Sequence, residues 1–271
     1  MMLTSSRILI NTVITYSKIL VTMLLTLLIT RISLDLLGVE DYGLFYLITG
    51  VLSILSFLNI ALSVSTQRFF SYNQGSSDKS SQKRVFQNSV LLHCLIGCVI
   101  LLLMHISSYF IFDNFLVIPN EKIETIKTIF HFMGVSVFFT VLSTPFSASI
   151  NAHEDLHWIA AINMFEVIAK LFFTMMLPIV EIDKMLFYGI SRPSISIIVF
   201  AIYAIIAFSK YAECDIRGIK GLKYSEMKDL IYFVGWNFFG ALAVPFRSQG
   251  LAILLNVFFG ARVNAAYAIS L

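Results

Sequence analysis

The sequence predicts an all-α protein, a polytopic bundle of membrane-spanning helices. Hydrophobic residues make up 58% of the chain and charged residues only 13%, whereas soluble domains have about 45–50% and about 25%. The hydrophobic residues are gathered into long runs, and a helix needs roughly 20 apolar residues to cross a bilayer. We predict spanning helices at residues 8–30, 43–66, 89–112, 128–152, 156–180, 185–208 and 230–259.

The first run is expected to remain in the protein as a helix, because it is too long for a signal peptide and no small-residue cleavage site follows it. Two mostly apolar blocks, Ile8–Leu37 and Leu230–Phe259, begin 222 residues apart at positions 8 and 230, and each runs directly into a glycine. This spacing equals six helices with their loops and is typical of transporters built from repeats. We therefore predict a first six-helix bundle at 1–228. Residues 229–271 would be the seventh helix and the start of the eighth, the beginning of a second pseudo-symmetric unit.

The Lys and Arg content of the connections predicts the orientation, since cytoplasmic loops are rich in these residues. The basic connections are 67–88 and 209–229, which places them and the N-terminus inside. Segment 153–157, HEDLH, has no Lys or Arg and is placed inside by alternation alone. The connections with fewer cations and more carboxylates, predicted to lie outside, are 31–42, 113–127 and 181–184. The first of these is predicted to be a tight hairpin loop, with Gly38 and Gly43 permitting the turn.

Five charged residues lie inside the predicted helices and are the candidates for substrate binding: Lys18, Glu166, Lys170, Arg192 and Arg247. A charge at the centre of a bilayer costs about 2.5–3.5 kcal/mol even on the lenient insertion scale, so each one needs a reason. Four are cations and one is an acid. If they share a cavity, it is electropositive and suits an anionic passenger such as a diphosphate.

Other polar residues in the runs leave two interpretations open. Asn163, Glu166, Lys170 and Thr174 share one face of the fifth predicted helix, and Glu166 precedes Lys170 in the favourable order for a helical pair. The two charged residues are either a structural ion pair that holds helices together or part of the wall of a hydrated cavity. His93 and His105 are expected to be satisfied core histidines. The polar residues of the fourth run are either helix-packing contacts or lumen lining; they are Thr140, Ser143, Thr144, Ser147 and Asn151.

The sequence contains no enzyme signature. It has no nucleotide-binding glycine loop, no nucleophile elbow and no HExxH motif, and its three cysteines form neither a disulfide framework nor a metal motif. We expect no catalytic residue, no metal, no cofactor and no nucleic-acid partner. The alternative of a polytopic polysaccharide polymerase or glycosyltransferase is less favoured, because those enzymes usually have larger outer loops.

Three stretches carry a resemblance to a known family. They are TRISLDLLGVEDYGLFYLITGVLSILSFLN at 30–59, STQRFFSYNQG at 65–75 and VGWNFFGALAVPFRSQGLAILLNVFFGARVNAAYAIS at 234–270. They resemble the first two helices and the seventh helix of O-antigen-type oligosaccharide-lipid flippases. These belong to the multidrug/oligosaccharidyl-lipid/polysaccharide (MOP) exporter superfamily, which also holds the multidrug and toxic-compound extruders.

The resemblance implies twelve to fourteen helices in two bundles around a central cavity. It implies a transporter of the bacterial inner membrane, which flips polyprenyl-diphosphate-linked oligosaccharides for O-antigen-like surface polysaccharide or lipopolysaccharide synthesis. Its partners would be the lipid-linked substrate, membrane lipid and other polysaccharide assembly proteins. This chain would hold one bundle and the start of the next, so we expect no transport by it alone. A cation-coupled multidrug extruder is the alternative; it would favour acidic cavity residues, and only Glu166 is available.

Overall fold

A computed structural model describes residues 2–53, 56–75, 79–114, 119–217, 228, 231–238 and 240–241. The helices are α1 (Met2–Ser53), α2 (Ser56–Gly75), α3 (Lys79–Asn114), α4 (Ile123–Ala152), α5 (Leu156–Met176) and α6 (Lys184–Lys210), with a 3₁₀ turn at Asn120–Lys122. Residues 231–238 and 240–241 are also helical, and the described part of the chain contains no strand. The predicted all-α helix bundle is confirmed.

Five helical stretches in the described residues are long and apolar enough to cross a membrane: Thr12–Tyr46, Lys79–Phe112, Ile123–Ala152, Leu156–Met176 and Lys184–Lys210. The protein is therefore a multi-pass membrane protein. The predicted second run, 43–66, is divided between the end of α1 and α2. Most of the seventh run and the start of the eighth lie outside the described residues, so the division of the chain at residue 228 stays a prediction.

Helix α1 consists of two arms, residues 2–37 and 39–53, that meet at Gly38. Gly38 has φ 82° and ψ 166°, a left-handed conformation that glycine adopts at no steric cost. Both arms line one cavity, so the chain bends back on itself at this residue. The predicted turn at Gly38 is confirmed. The predicted loop over 31–42 is wrong, because the residues of this segment other than Gly38 are helical. Gly43, just beyond the segment, is helical as well.

Helix α4 packs most extensively against α6 and α3, while α1 packs chiefly against α5. Two apolar clusters hold the helices together. One includes Ile48, Ile129 and Met185, and the other includes Phe86 and Phe146. Because lipid tails are as apolar as these side chains, the clusters stabilise the bundle by close packing more than by exclusion of water.

One end of the bundle, which we call the basic end, gathers the start of α3 with segments 153–157 and 209–217. Lys83 Nζ lies 2.7 Å from Asp215 Oδ2, and the hydrogen bond from Lys83 holds the pKa of Asp215 below its usual value. The Tyr211 hydroxyl donates to Asp155 Oδ2 at 2.7 Å, and His153 Nε2 lies 3.2 Å from Glu213 Oε1. Three connections that charge and alternation predicted to share one side therefore meet at one end.

The opposite end, which we call the acidic end, gathers the Gly38 turn with segments 119–122 and 181–184. Lys122 Nζ lies 3.0 Å from Asp41 Oδ1 and 3.9 Å from Asp183 Oδ2. The hydrogen bond to Asp41 is the main cause that raises the pKa of Lys122. One ammonium group thus joins the three connections that were predicted to lie together on the other side.

Candidate functional site

A cavity of about 410 Å³ lies between α1, α4, α5 and α6. We call it the charged chamber. Both arms of α1 contribute threonines to its wall, and the second arm also contributes aromatic rings. The other three helices contribute hydroxyl and charged groups. Its polar and aromatic lining residues are Thr26, Thr30, Tyr42, Phe45, Tyr46, Thr49, Ser136, Thr140, Glu166, Lys170, Tyr188, Arg192 and Ser196.

Helix α5 supplies an ion pair to this chamber. Lys170 Nζ donates to Glu166 Oε1 at 2.6 Å, and each side chain is about one-third exposed. Helical spacing places the two groups on the same face, and that face lines the chamber. The two residues therefore pair within α5 and also lie in the cavity wall. A pair inside one helix does not itself join helices, and the hydration of the cavity stays a prediction.

Arg192 of α6 carries a charge that no acid among the described residues neutralises. Its Nη2 donates to the Tyr188 hydroxyl at 2.6 Å, and its guanidinium carbon lies 4.6 Å from the centre of the Tyr188 ring and 5.5 Å from that of Phe45. Its Nε is buried without a hydrogen-bond partner, and no ion pair joins Arg192 to a carboxylate in the described part of the chain. Two cations and one carboxylate give the chamber a net charge of +1. A guanidinium group without an acidic partner gains most from an anionic ligand.

A second cavity, of about 200 Å³, adjoins the first. We call it the neutral chamber. It shares Thr140, Glu166 and Ser196 with the charged chamber. Its other lining residues are Asn59, Ser63, Ser143, Thr144, Ser147, Asn163, Val199 and Tyr203. On α6 the lining runs from residue 188 to residue 196 in the charged chamber and from 196 to 203 in the neutral one. The charged chamber therefore lies towards the acidic end, and the neutral chamber towards the basic end.

The polar residues of α4 include both helix-packing contacts and cavity-lining residues, which are the two interpretations that the sequence left open. Thr144 Oγ1 donates to Asn59 Oδ1 at 3.0 Å, which is a contact between α4 and α2. Ser143 and Ser147 donate to backbone carbonyls of α4, and their oxygens face the neutral chamber. Asn151 lies beyond both chambers.

Two predicted site residues lie elsewhere. Lys18 is half-buried on α1 and lines neither chamber. It precedes Thr26 by eight residues, about 12 Å along a helix. Arg247 lies outside the described residues. The structure thus brings together three of the five candidates, Glu166, Lys170 and Arg192, and their role in binding stays a prediction.

Of the two histidines, His93 is fully buried and its Nδ1 lies 2.7 Å from Ser89 O, so it is a satisfied core histidine as predicted. The prediction for His105 is wrong. This side chain is exposed, and its Nδ1 lies 3.1 Å from His131 Nδ1 of α4. Among the described residues, no group of three or more His, Cys, Asp and Glu could hold a metal ion.

The sequence interpretation did not identify Tyr188 and Tyr203 as wall residues, whereas Asn163, which it placed on the same helix face as Glu166 and Lys170, lines the neutral chamber. Tyr188 precedes Arg192 by four residues, the spacing that lets two side chains meet on a helix, so this spacing was an available signal. Tyr203 is neutral, and nothing local to the sequence distinguishes a tyrosine in a cavity wall from one in a packed interface.

Comparisons with known proteins agree with this architecture. The sequence model of a family described as MatE matches residues 14–176. The "Uncharacterized membrane protein EpsK" of Bacillus subtilis (strain 168) is 21% identical over 250 residues, which cover 92% of this chain and 49% of EpsK. The chain therefore spans about half the length of this relative. No solved structure matches the chain.

Proposed function

Since the chain belongs to the MatE family of membrane transporters, as the match over more than half of its length shows, we propose that its helix bundle binds the passenger in a two-bundle transporter that flips polyprenyl-diphosphate-linked oligosaccharides across the bacterial inner membrane. The product would feed the synthesis of an O-antigen-like surface polysaccharide. The charged chamber would hold the polar head of the substrate while the lipid tail stays in the bilayer. Other polysaccharide assembly proteins would supply the substrate and use the product.

The charge balance of the charged chamber carries this proposal. Lys170 and Arg192 face a space of about 410 Å³, and the single acid there, Glu166, is already paired. A diphosphate offers several anionic oxygens to the unsatisfied guanidinium donors and to the ammonium group. Transport needs binding that is reversible, and one net positive charge favours an anion without a complete cage of cations around it.

The experiment measures binding by the purified protein in nanodiscs. The probe is a farnesyl diphosphate that carries N-acetylglucosamine on its terminal phosphate. We expect the double variant Lys170→Met/Arg192→Met to weaken binding at least about a hundredfold, because two charge-assisted contacts are lost. The matched control, Lys184→Met/Arg217→Met, removes two cations outside both chambers and should bind like the unchanged protein. Equal affinities for the two double variants would overturn the proposal.

A cell-based test addresses transport. Loss of the gene should remove the surface polysaccharide and leave its lipid-linked precursor in the inner leaflet. The Lys170→Met/Arg192→Met variant should fail to restore the polysaccharide, whereas the control double variant should restore it. Normal polysaccharide in the absence of the gene would mean that the passenger is a different molecule.

The orientation is part of the proposal. The basic end carries most of the loop cations, so we place it and the N-terminus in the cytoplasm. Reporter fusions after Lys83 and after Lys220 should give cytoplasmic signals, and a fusion after Glu121 at the acidic end should give a periplasmic one. A periplasmic signal at either lysine would reverse the assignment.

A cation-coupled multidrug extruder is the second candidate, and one observation favours it: Glu166 lies in the wall of both chambers. A cationic drug would have to displace Lys170 from this carboxylate, which makes the candidate weaker. Efflux of a cationic dye that is lost in Glu166→Gln and kept in Glu124→Gln would favour the extruder. We assign no catalytic role to any residue, in keeping with a family of transporters.

A further inference from the structure

We propose that the neutral chamber is the binding site for the first sugar of the passenger, and that it selects an uncharged or amino sugar over a uronic acid. This inference rests on the proposed function and adds a site and a specificity to it. No described cation lies in its lining, which consists mostly of amides and hydroxyl groups together with Glu166.

The position of the neutral chamber matches the chemistry of the passenger. The first sugar of a lipid-linked oligosaccharide is bonded directly to the diphosphate, so its ring must lie next to the diphosphate site. The two chambers meet at Thr140, Glu166 and Ser196. In a passenger loaded from the cytoplasm the sugar lies nearer the cytoplasm than the diphosphate does. The neutral chamber is the one towards the basic end, the proposed cytoplasmic end.

The hydrogen-bonding groups of the chamber suit sugar hydroxyls, which both donate and accept. Ser143 and Ser147 use their protons on backbone carbonyls at 2.7 and 3.0 Å, so their oxygens remain as acceptors. Asn59 accepts from Thr144 through Oδ1, which leaves its amide protons as donors. Asn163 adds a second amide that makes no hydrogen bond to another described residue. Acceptors and donors therefore both face the same small space.

The volume of the neutral chamber and the charge of its lining restrict the class of ligand further. A volume of about 200 Å³ holds one sugar ring and not an oligosaccharide. Tyr203 lines the chamber as well, and its hydroxyl, which makes no hydrogen bond to another described residue, can bond to the sugar. Among the described residues of the lining, the only charged one is Glu166. Glu166 is paired with Lys170 through Oε1, so it does not bind a uronate, and no described cation in the lining of this chamber would compensate the carboxylate of such a sugar. An amino group, in contrast, can donate to the second oxygen of Glu166.

The test compares three probes on the protein in nanodiscs: bare farnesyl diphosphate, the same lipid carrying N-acetylglucosamine, and the same lipid carrying glucuronic acid. We expect N-acetylglucosamine to improve binding over the bare lipid by about tenfold or more, because each added hydrogen bond contributes a few-fold to about tenfold. Glucuronic acid should give no improvement. Equal binding of the two sugar probes would overturn the proposed selectivity.

Substitutions in the lining test whether the advantage of the N-acetylglucosamine probe arises in the neutral chamber. Asn163→Leu should reduce the advantage of the N-acetylglucosamine probe over the bare lipid by about tenfold and leave the affinity for the bare lipid unchanged. Asn151→Leu, the same change outside both chambers, should leave this advantage intact. Tyr203→Phe removes a single oxygen and keeps the volume, so it provides a second measurement if Asn163→Leu does not fold; it should reduce the advantage a few-fold.

The outcomes separate this inference from the function on which it rests. If the bare lipid binds and depends on Lys170 and Arg192, but the sugar advantage is absent or insensitive to Asn163 and Tyr203, the sugar site is wrong and the flippase proposal stands. If no prenyl diphosphate binds at all, the proposed function fails, and the sugar site fails with it.

Discussion

The two faces of α6 differ in how closely they pack against the neighbouring helices. The face towards α4 is closed: a Cβ added to Gly189 would lie 2.7 Å from Cγ1 and Cγ2 of Ile129, so the two helices are in backbone-to-side-chain contact. The face towards α1 and α5 is open, and Tyr188 and Arg192 border a cavity of about 410 Å³. Residues 188 and 189 are neighbours in the chain, yet they lie on different faces.

The difference shows what brings helices together in a membrane. Lipid tails are as apolar as the helix surfaces, so helices approach closely only where small residues allow close packing. Long polar side chains hold their helices apart, and their charges need water, a partner or a ligand. A single helix can therefore act as a fixed structural contact on one face and as part of a binding site on the other.

The largest expected effect comes from Gly189→Ala, which tests the closed face. The added methyl group meets the branched stem of Ile129, which has little room to move. We expect overpacking to exceed the gain from better helix propensity and to lower the free energy of unfolding by about 1–2 kcal/mol. Gly134→Ala is the matched control, because its methyl group would meet the flexible ends of Leu101 and Met104 at 3.1 and 3.5 Å. Thermal unfolding in detergent that shows equal losses for both variants would contradict a rigid closed face.

The next effect concerns the open face. Glu166→Gln removes the partner of Lys170 and raises the net charge of the charged chamber from +1 to +2. The affinity for bare farnesyl diphosphate should rise about fivefold, while the stability changes by less than about 1 kcal/mol, because the pair is one-third exposed. Glu124→Gln removes the same charge from the start of α4 and should change neither quantity. A large loss of stability in Glu166→Gln would instead mean that the pair mainly holds the helices together.

A smaller effect is expected at the acidic end, where α6 begins. Lys122→Met should lower the stability by about 1 kcal/mol or less, since both ion pairs are partly exposed. The pKa of Lys122 is raised in the folded protein, so its contribution is fully present below the ordinary value of 10.5 and is lost as the pH rises through the folded value. The difference in the free energy of unfolding between Lys122→Met and the unchanged protein should stay constant from neutral pH up to the ordinary lysine pKa of 10.5. The control is Lys184→Met, an exposed lysine at the start of α6.

The smallest effect is expected at the basic end, where α6 leads into segment 209–217. Cys214 is buried, its thiol donates to Ser149 Oγ at 3.2 Å, and burial raises its pKa to about 12. A thiol of this kind reacts slowly at pH 8, because the thiolate is the nucleophile. Lys83→Met breaks the contact with Asp215, so a maleimide reagent should label Cys214 several-fold faster in this variant.

Lys79→Met, a change of an exposed lysine on the same helix, is the control for this measurement and should leave the labelling rate unchanged. An unchanged rate in Lys83→Met would show that the segment is held by its other contacts, such as that between Tyr211 and Asp155. The basic end would then be independent of the Lys83 ion pair.

Much of the fold follows from local properties of the chain. Length and hydropathy predicted most of the spanning helices, a single glycine predicted the break in α1, and the balance of charges grouped the connections at two ends. Two predictions within the described helices differ from the structure. Segment 31–42 was predicted as a loop, since acids on the exposed side of a helix and acids in a loop look alike in sequence. The run 43–66 was predicted as one helix and is divided between α1 and α2. The pair of Glu166 and Lys170 was also predictable, since its spacing lies within one helix.

The sequence by itself determined the membrane class, the transporter family and the identity of the charges that lipid would not tolerate. Only the tertiary structure decided which of those charges meet. Arg192 and Lys170 share a chamber whereas Lys18 does not, and His105 finds its partner 26 residues away on another helix. The physical reason is that hydropathy and spacing belong to one helix at a time. A cavity depends on the rotation and height of several helices relative to one another, and these follow from the packing of residues such as Gly189 against Ile129.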